Sequence, residues 1–169
     1  VPEPTPEPTA VLREPKNLVS PRAVSYWRVS SGLGTLVVWV AVAVTWFLWD
    51  SRPWWASTLL VLAAVLALVP TVVMPPVRYR IHRWDVTDVA VHTRSGWITR
   101  EERIAPLSRV QTVDSTQGAL MRLFGLRSLT VTTASAAGPI TIDCLEAGVA
   151  TDLAAHLTAV TGAERGDAT

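Results

Sequence analysis

The side chains able to do chemistry are few, and their spacing does not combine them. Three histidines, His82, His92 and His156, fall in two strand-like stretches and one helical one, without the spacing a metal site needs. Asp114 directly precedes Ser115, which is not a nucleophile–base pair, and neither a glycine-rich phosphate loop nor a Cys–His arrangement occurs. Cys144 is the only cysteine, so an internal disulfide and a multi-cysteine zinc site are ruled out. In Ile140-Thr141-Ile142-Asp143-Cys144 the alternation turns the thiol inward with the two isoleucines, as a buried structural group. These residues predict no enzyme, no cofactor and no metal.

Binding is the remaining chemistry, and two stretches offer it. Arg78, Arg80, His82 and Arg83 follow directly on an apolar run. Two readings stay open: Arg78, Arg80 and Arg83 contact anionic lipid headgroups, at about 1 kcal/mol for each arginine near the surface, or they form the flank that orients a membrane span. The second stretch contains Gln117, Gly118, Leu120, Met121, Arg122, Leu123, Phe124 and Gly125. Large apolar side chains between glycines dip into a bilayer, dock a partner or close a domain. Arg100, Glu101, Glu102 and Arg103 read as a solvated strand face, and Gly32 with Gly34 as close helix packing.

The elements that must carry these stretches begin with a membrane hairpin. Hydrophobic residues make up 49% of the chain against 17% charged, and the excess is concentrated between Leu33 and Met74. Spans at about 29–49 and 54–74 each hold about 20 residues, enough to cross a hydrocarbon core of about 30 Å. Neither contains an ionisable residue, which argues against a proton relay or an ion path. Only Asp50, Ser51, Arg52 and Pro53 join them, so the spans are antiparallel neighbours. Pro70 bends the second, and Pro75 and Pro76 are expected to end it. A cleavable signal peptide fits the first run poorly, because that run is long and ends in Trp46-Phe47-Leu48-Trp49.

Orientation follows from the basic residues. Arg13, Lys16, Arg22 and Arg28 precede the hairpin and Arg78, Arg80 and Arg83 follow it, while the loop offers Arg52 countered by Asp50. Both termini are therefore expected in the cytoplasm, in a multi-pass inner-membrane protein. Trp46, Trp49, Trp54 and Trp55 mark the outer interface, Tyr26 and Trp27 the inner one.

On either side of the hairpin the composition changes. Residues 1–24 are proline-rich and are expected to form a disordered tail. Residues 77–161 are expected to fold as a cytoplasmic domain, followed by a flexible tail at 162–169. Val77, Tyr79 and Ile81 alternate with Arg78, Arg80 and His82, which predicts a first strand. Further strands are predicted around 89–92, 97–104 and 109–114, then at Leu129 and Val131 and at Ile140 and Ile142, with a helical turn over 119–123. Leu145, Val149, Leu153 and Leu157 predict an apolar stripe on a helix of about 146–160, stopped by Gly162. Short strands and a closing helix indicate a small β-barrel or sandwich.

Tyr79-Arg80-Ile81, Gly96-Trp97-Ile98, Ile104-Ala105-Pro106-Leu107-Ser108-Arg109-Val110-Gln111-Thr112-Val113-Asp114, Gln117-Gly118 and Leu123-Phe124-Gly125-Leu126 follow one another in a fairly specific order. In this, residues 25–161 resemble the bacterial pleckstrin-homology-like membrane proteins of the YdbS-like family. The resemblance implies a two-helix transmembrane hairpin at 25–76 and a mainly β PH-like barrel or sandwich with a C-terminal α-helix. It implies no established reaction, and a companion that is a larger PH-like relative. Eukaryotic PH domains that bind inositol phosphates use basic residues across the turn between their first two strands. Here Arg83-Trp84-Asp85-Val86-Thr87-Asp88 carries two acids and no lysine, which does not suit such a ligand. The expected function is a membrane-tethered interaction module whose partners are the bilayer and another PH-like membrane protein or its own copy. An anionic-lipid sensor and an accessory subunit of a transporter or envelope-stress system are the alternatives, and no nucleic acid or small-molecule substrate is indicated.

Overall fold

The computed structural model describes residues 14–51, 53–134 and 138–166. Arg52 of the hairpin loop, residues 1–13 of the expected tail, and 135–137 and 167–169 lie outside the described residues. The first apolar run forms α1 (Arg22–Leu48), and the second forms α2 (Trp54–Leu66), α3 (Val69–Val72) and α4 (Met74–Ile81). Their most apolar windows reach mean hydropathies of 1.9 and 2.4, and none of either window is buried inside the protein. Leu36, Val37, Phe47, Leu59 and Val61 point outward instead. Only a hydrocarbon solvent makes that arrangement favourable, so the pair is a two-helix transmembrane hairpin.

Pro70 accounts for the break in the second span. It has no N–H to give the Leu66 carbonyl. Around it the ladder tightens, with Leu68 N donating to Val65 O at 3.1 Å and Thr71 N to Leu68 O at 3.0 Å. The Ala67 carbonyl is satisfied by α1, whose Thr35 Oγ1 donates to it at 2.7 Å and also lies 2.8 Å from Thr71 Oγ1. Trp39 Nε1 donates to Ala64 O at 3.1 Å. Polar groups freed by a proline are thus stitched across the hairpin, as they must be where water is absent.

Pro75 and Pro76 do not end the helix, and the first strand expected at 77–82 is helical. Both prolines stand in the first turn of α4, where a missing N–H costs nothing. The apparent alternation of 77–82 is overridden by an i, i+4 contact: Arg78 Nε donates to His82 Nε2 at 3.2 Å, and His82 N donates to Arg78 O at 2.9 Å. The expected tail at 1–24 also ends early. Asn17–Leu18 is strand β1, Pro15 is fully buried, and α1 begins at Arg22.

The domain has two antiparallel sheets. The first runs β1-β2-β3-β4, with β2 at Arg83–Val86, β3 at Ala90–Gly96 and β4 at Arg100–Pro106. The second runs β5-β6-β7, with β5 at Val110–Thr116, β6 at Leu126–Thr133 and β7 at Ile140–Glu146. A 3-10 turn, Leu107–Arg109, makes the corner between them, and the short helix α5 (Ala119–Leu123) lies between β5 and β6. The last helix, α6, spans Ala147–Gly166, so Gly162 does not stop it and the expected tail at 162–169 starts later. Its buried stripe is Ala150, Leu153 and Leu157; Leu145 belongs to β7, and Val149 is 40% exposed. With Val91, Leu107, Leu129, Val131, Ile140 and Ile142, that stripe closes an aliphatic core between the sheets. This is a PH-like sandwich capped by its C-terminal helix.

Candidate interaction site at the hairpin–domain junction

A second core lies where the hairpin meets the domain. Val19, Ala23 and Trp27 from the start of the chain pack on Leu126 and Cys144, with Tyr26, Tyr79, Met121 and Phe124 partly buried around them. Alternation alone would send Cys144 to the same side as Ile140 and Ile142. Instead the register between β6 and β7 shifts between Arg127 and Leu129, and Cys144 takes φ 57°. That left-handed step faces Cys144 to the junction while its neighbour Leu145 enters the sandwich core. One bulged hairpin therefore feeds both cores.

Backbone and side chains lock the contact. Ser20 N donates to Cys144 O at 3.0 Å, bringing the chain from β1 across to β7 before it turns into α1. Trp84 Nε1 donates to Leu18 O at 3.3 Å, and Tyr26 stacks edge-on to Phe124 with ring centres 6.2 Å apart. Trp27 lies under the Arg78 guanidinium, 4.5 Å from its ring centre, and edge-on to His82 at 5.3 Å. Arg78 Nη2 is 3.6 Å from Asp143 Oδ2, and Ser128 Oγ donates to Asp143 Oδ1 at 2.9 Å. Burial and the Arg78 charge push His82 down to about 4, so it is a neutral ring at physiological pH. Burial pushes the Cys144 thiol up to about 12, which leaves it inert.

The residues singled out in the sequence separate into different surroundings. Arg78 is turned into the junction, Arg80 is exposed with no partner among the described residues, and Arg83 faces a cavity between β3, β4 and β7. Gln117 Nε2 donates to Leu126 O at 2.8 Å, and Gly118 caps α5. Met121 and Phe124 join the junction core, and Leu120 is half-buried. Gly125 has φ 65°, and a Cβ there would come within 3.2 Å of Arg22 Nη1. Arg122 and Leu123 point outward, Leu123 being 82% exposed. Sequence reasoning missed Arg94 and Arg103, which line the same cavity as Arg83. Strand register brings them there, and no local pattern signals it.

The chain matches the bacterial PH domain family over residues 28–161. The chain belongs to that family. The chain is also similar to the UPF0699 transmembrane protein YdbS of Bacillus subtilis (strain 168), 32% identical over 128 residues, covering 72% of this chain and 79% of that protein. No solved structure matches the chain. Within this bacterial PH domain, the turn between β2 and β3 carries Thr87, Asp88 and Val89 and no basic side chain.

Proposed function

We propose that this bacterial PH domain protein is a membrane-tethered interaction module of the plasma membrane. Both of its termini are cytoplasmic, and its hairpin presents the domain in one posture to a second membrane protein, a PH-like relative or another copy. The junction core supports this reading most directly. It fixes the domain to the foot of α1 and leaves the Arg122–Leu123 tip of α5 uncovered beside that foot. A tether alone would need no such core.

Affinity purification of the intact protein from its native membrane in mild detergent, followed by mass spectrometry, tests the reading. A stoichiometric PH-like companion or second copy, lost on Leu123→Ser, is expected; recovery of the chain alone would refute it. Reporter fusions after Thr169 test the orientation and are expected to signal only with a cytoplasmic-type reporter. A second reading, an anionic-lipid sensor, is favoured by one observation: Arg80 is exposed at the last turn of α4 with no partner among the described residues. It requires Arg80→Ala to weaken retention on anionic over neutral vesicles.

A further inference from the structure

A cavity of about 660 Å³ opens between the β3–β4 hairpin and β7, with Arg78, Arg83, Arg94 and Arg103 in its wall. Its size is that of a small-ligand site. It lies at the Gly96 end of β3, away from the Thr87–Val89 turn. Arg83 and Arg94 are cross-strand partners on β2 and β3. Like charges placed directly opposite in a sheet repel, so an anion between them has a structural reason to be there. Three of the four arginines are already held. Asp143 meets Arg78, Glu101 meets Arg103 at 2.6 Å, and Glu102 meets Arg94 at 2.5 Å. The Arg83 guanidinium makes no hydrogen bond or ion pair among the described residues.

Glu14 shows how an anion reaches this pair. Its carboxylate lies 3.1 Å from Arg94 Nη2 while the side chain stays 78% exposed. It is a surface group that a stronger anion can displace. A carboxylate engages one guanidinium edge, whereas a tetrahedral phosphate offers oxygens to two forks at once.

We propose that this cavity binds a phosphate-bearing ligand, its phosphate seated between Arg83 and Arg94 in place of the Glu14 carboxylate. The inference goes beyond the partner-binding reading and does not rest on it. The phosphate comes from a soluble phosphate ester or from a phospholipid headgroup of the adjoining leaflet, and two probes separate the sources. The full chain in phosphatidylcholine nanodiscs is titrated calorimetrically with glycerol 3-phosphate. The same chain in nanodiscs containing phosphatidic acid is assayed by native mass spectrometry for retained lipid.

Saturable binding of either probe is expected, weakened about tenfold by Arg83→Ala and by less in Arg83→Lys, which keeps the charge and loses the fork. Glu14→Gln, an exposed change that leaves the fold intact, is expected to tighten binding about two- to fivefold by removing the competitor. Binding of glycerol 3-phosphate without retention of phosphatidic acid assigns a soluble source, and retention of phosphatidic acid, with or without glycerol 3-phosphate binding, assigns the headgroup. Binding of neither probe, or binding indifferent to both Arg83→Ala and Glu14→Gln, overturns the proposal.

Discussion

The sandwich core and the junction core are built from different side chains. Between the sheets the buried residues are aliphatic: Val91, Leu107, Leu129, Val131, Ile140, Ile142, Leu153 and Leu157. At the junction the aliphatic Val19, Ala23 and Leu126 are joined by aromatic and sulfur-bearing side chains, Trp27 and Cys144 buried and Tyr26, Phe124 and Met121 partly so, with Arg78 stacked on Trp27 and paired to Asp143. Aliphatic packing is indifferent to direction and suffices to collapse two sheets. Ring stacking, a cation over an indole and a hydrogen-bonded carboxylate each demand one geometry. The difference teaches that the first core makes the domain and the second sets how it stands on the hairpin.

The largest effect on the junction core is expected at Trp27. Trp27→Ala should cost about 3–5 kcal/mol, and hydrogen exchange should rise at Val19–Ala23 and Cys144–Glu146 while β5 and β6 stay protected. Uniform deprotection of the sandwich would erase the distinction between the cores. Leu129→Ala is the counterpart, expected to cost about 3 kcal/mol and to lower the denaturant midpoint of the whole domain. Leaving the domain midpoint unchanged would show that the sandwich core does not carry the fold.

Acid should act on the junction first. The folded-state value of His82 is depressed to about 4 from an ordinary 6.5. Its contribution is therefore complete above pH 6.5 and is lost as pH falls toward 4. The loss should reach about 2–3 kcal/mol, read as a falling thermal midpoint, and His82→Gln should flatten it. An equally steep profile in that variant would remove His82 from the account. The smallest effects should lie on the open strand face: Glu101→Ala, whose carboxylate pairs with Arg103 and is half exposed, is expected to change stability by less than about 1 kcal/mol.

These two regions also differ in how far the sequence reveals them. Alternation at Leu129 and Val131 and at Ile140 and Ile142 points to the sandwich core, because period two is a local property. The uncharged runs and four-residue loop likewise disclose the hairpin. The junction was hidden for three physical reasons. Prolines 75 and 76 break a helix in most settings but begin one here, so the expected first strand became α4. A bulge reverses the face of Cys144, which strict alternation assigns to the aliphatic core. Asn17–Leu18 becomes a strand only because β2 supplies a long-range edge, and its own composition favours a tail. Of the candidate site residues, Met121 and Phe124 take the packing role and Arg122 and Leu123 the exposed one, a division set by how α5 sits against α1.

The junction core is expected to hold the domain in one posture on its membrane hairpin. The most direct test is the distance between spin labels at Ser51→Cys and Glu101→Cys, with the buried, inert Cys144 kept in place, measured by pulsed electron paramagnetic resonance in nanodiscs. One narrow distance distribution is expected, broadening when Trp27→Ala is added. A broad or multimodal distribution in the protein with Trp27 intact would show a domain swinging freely on its tether, and would contradict the account.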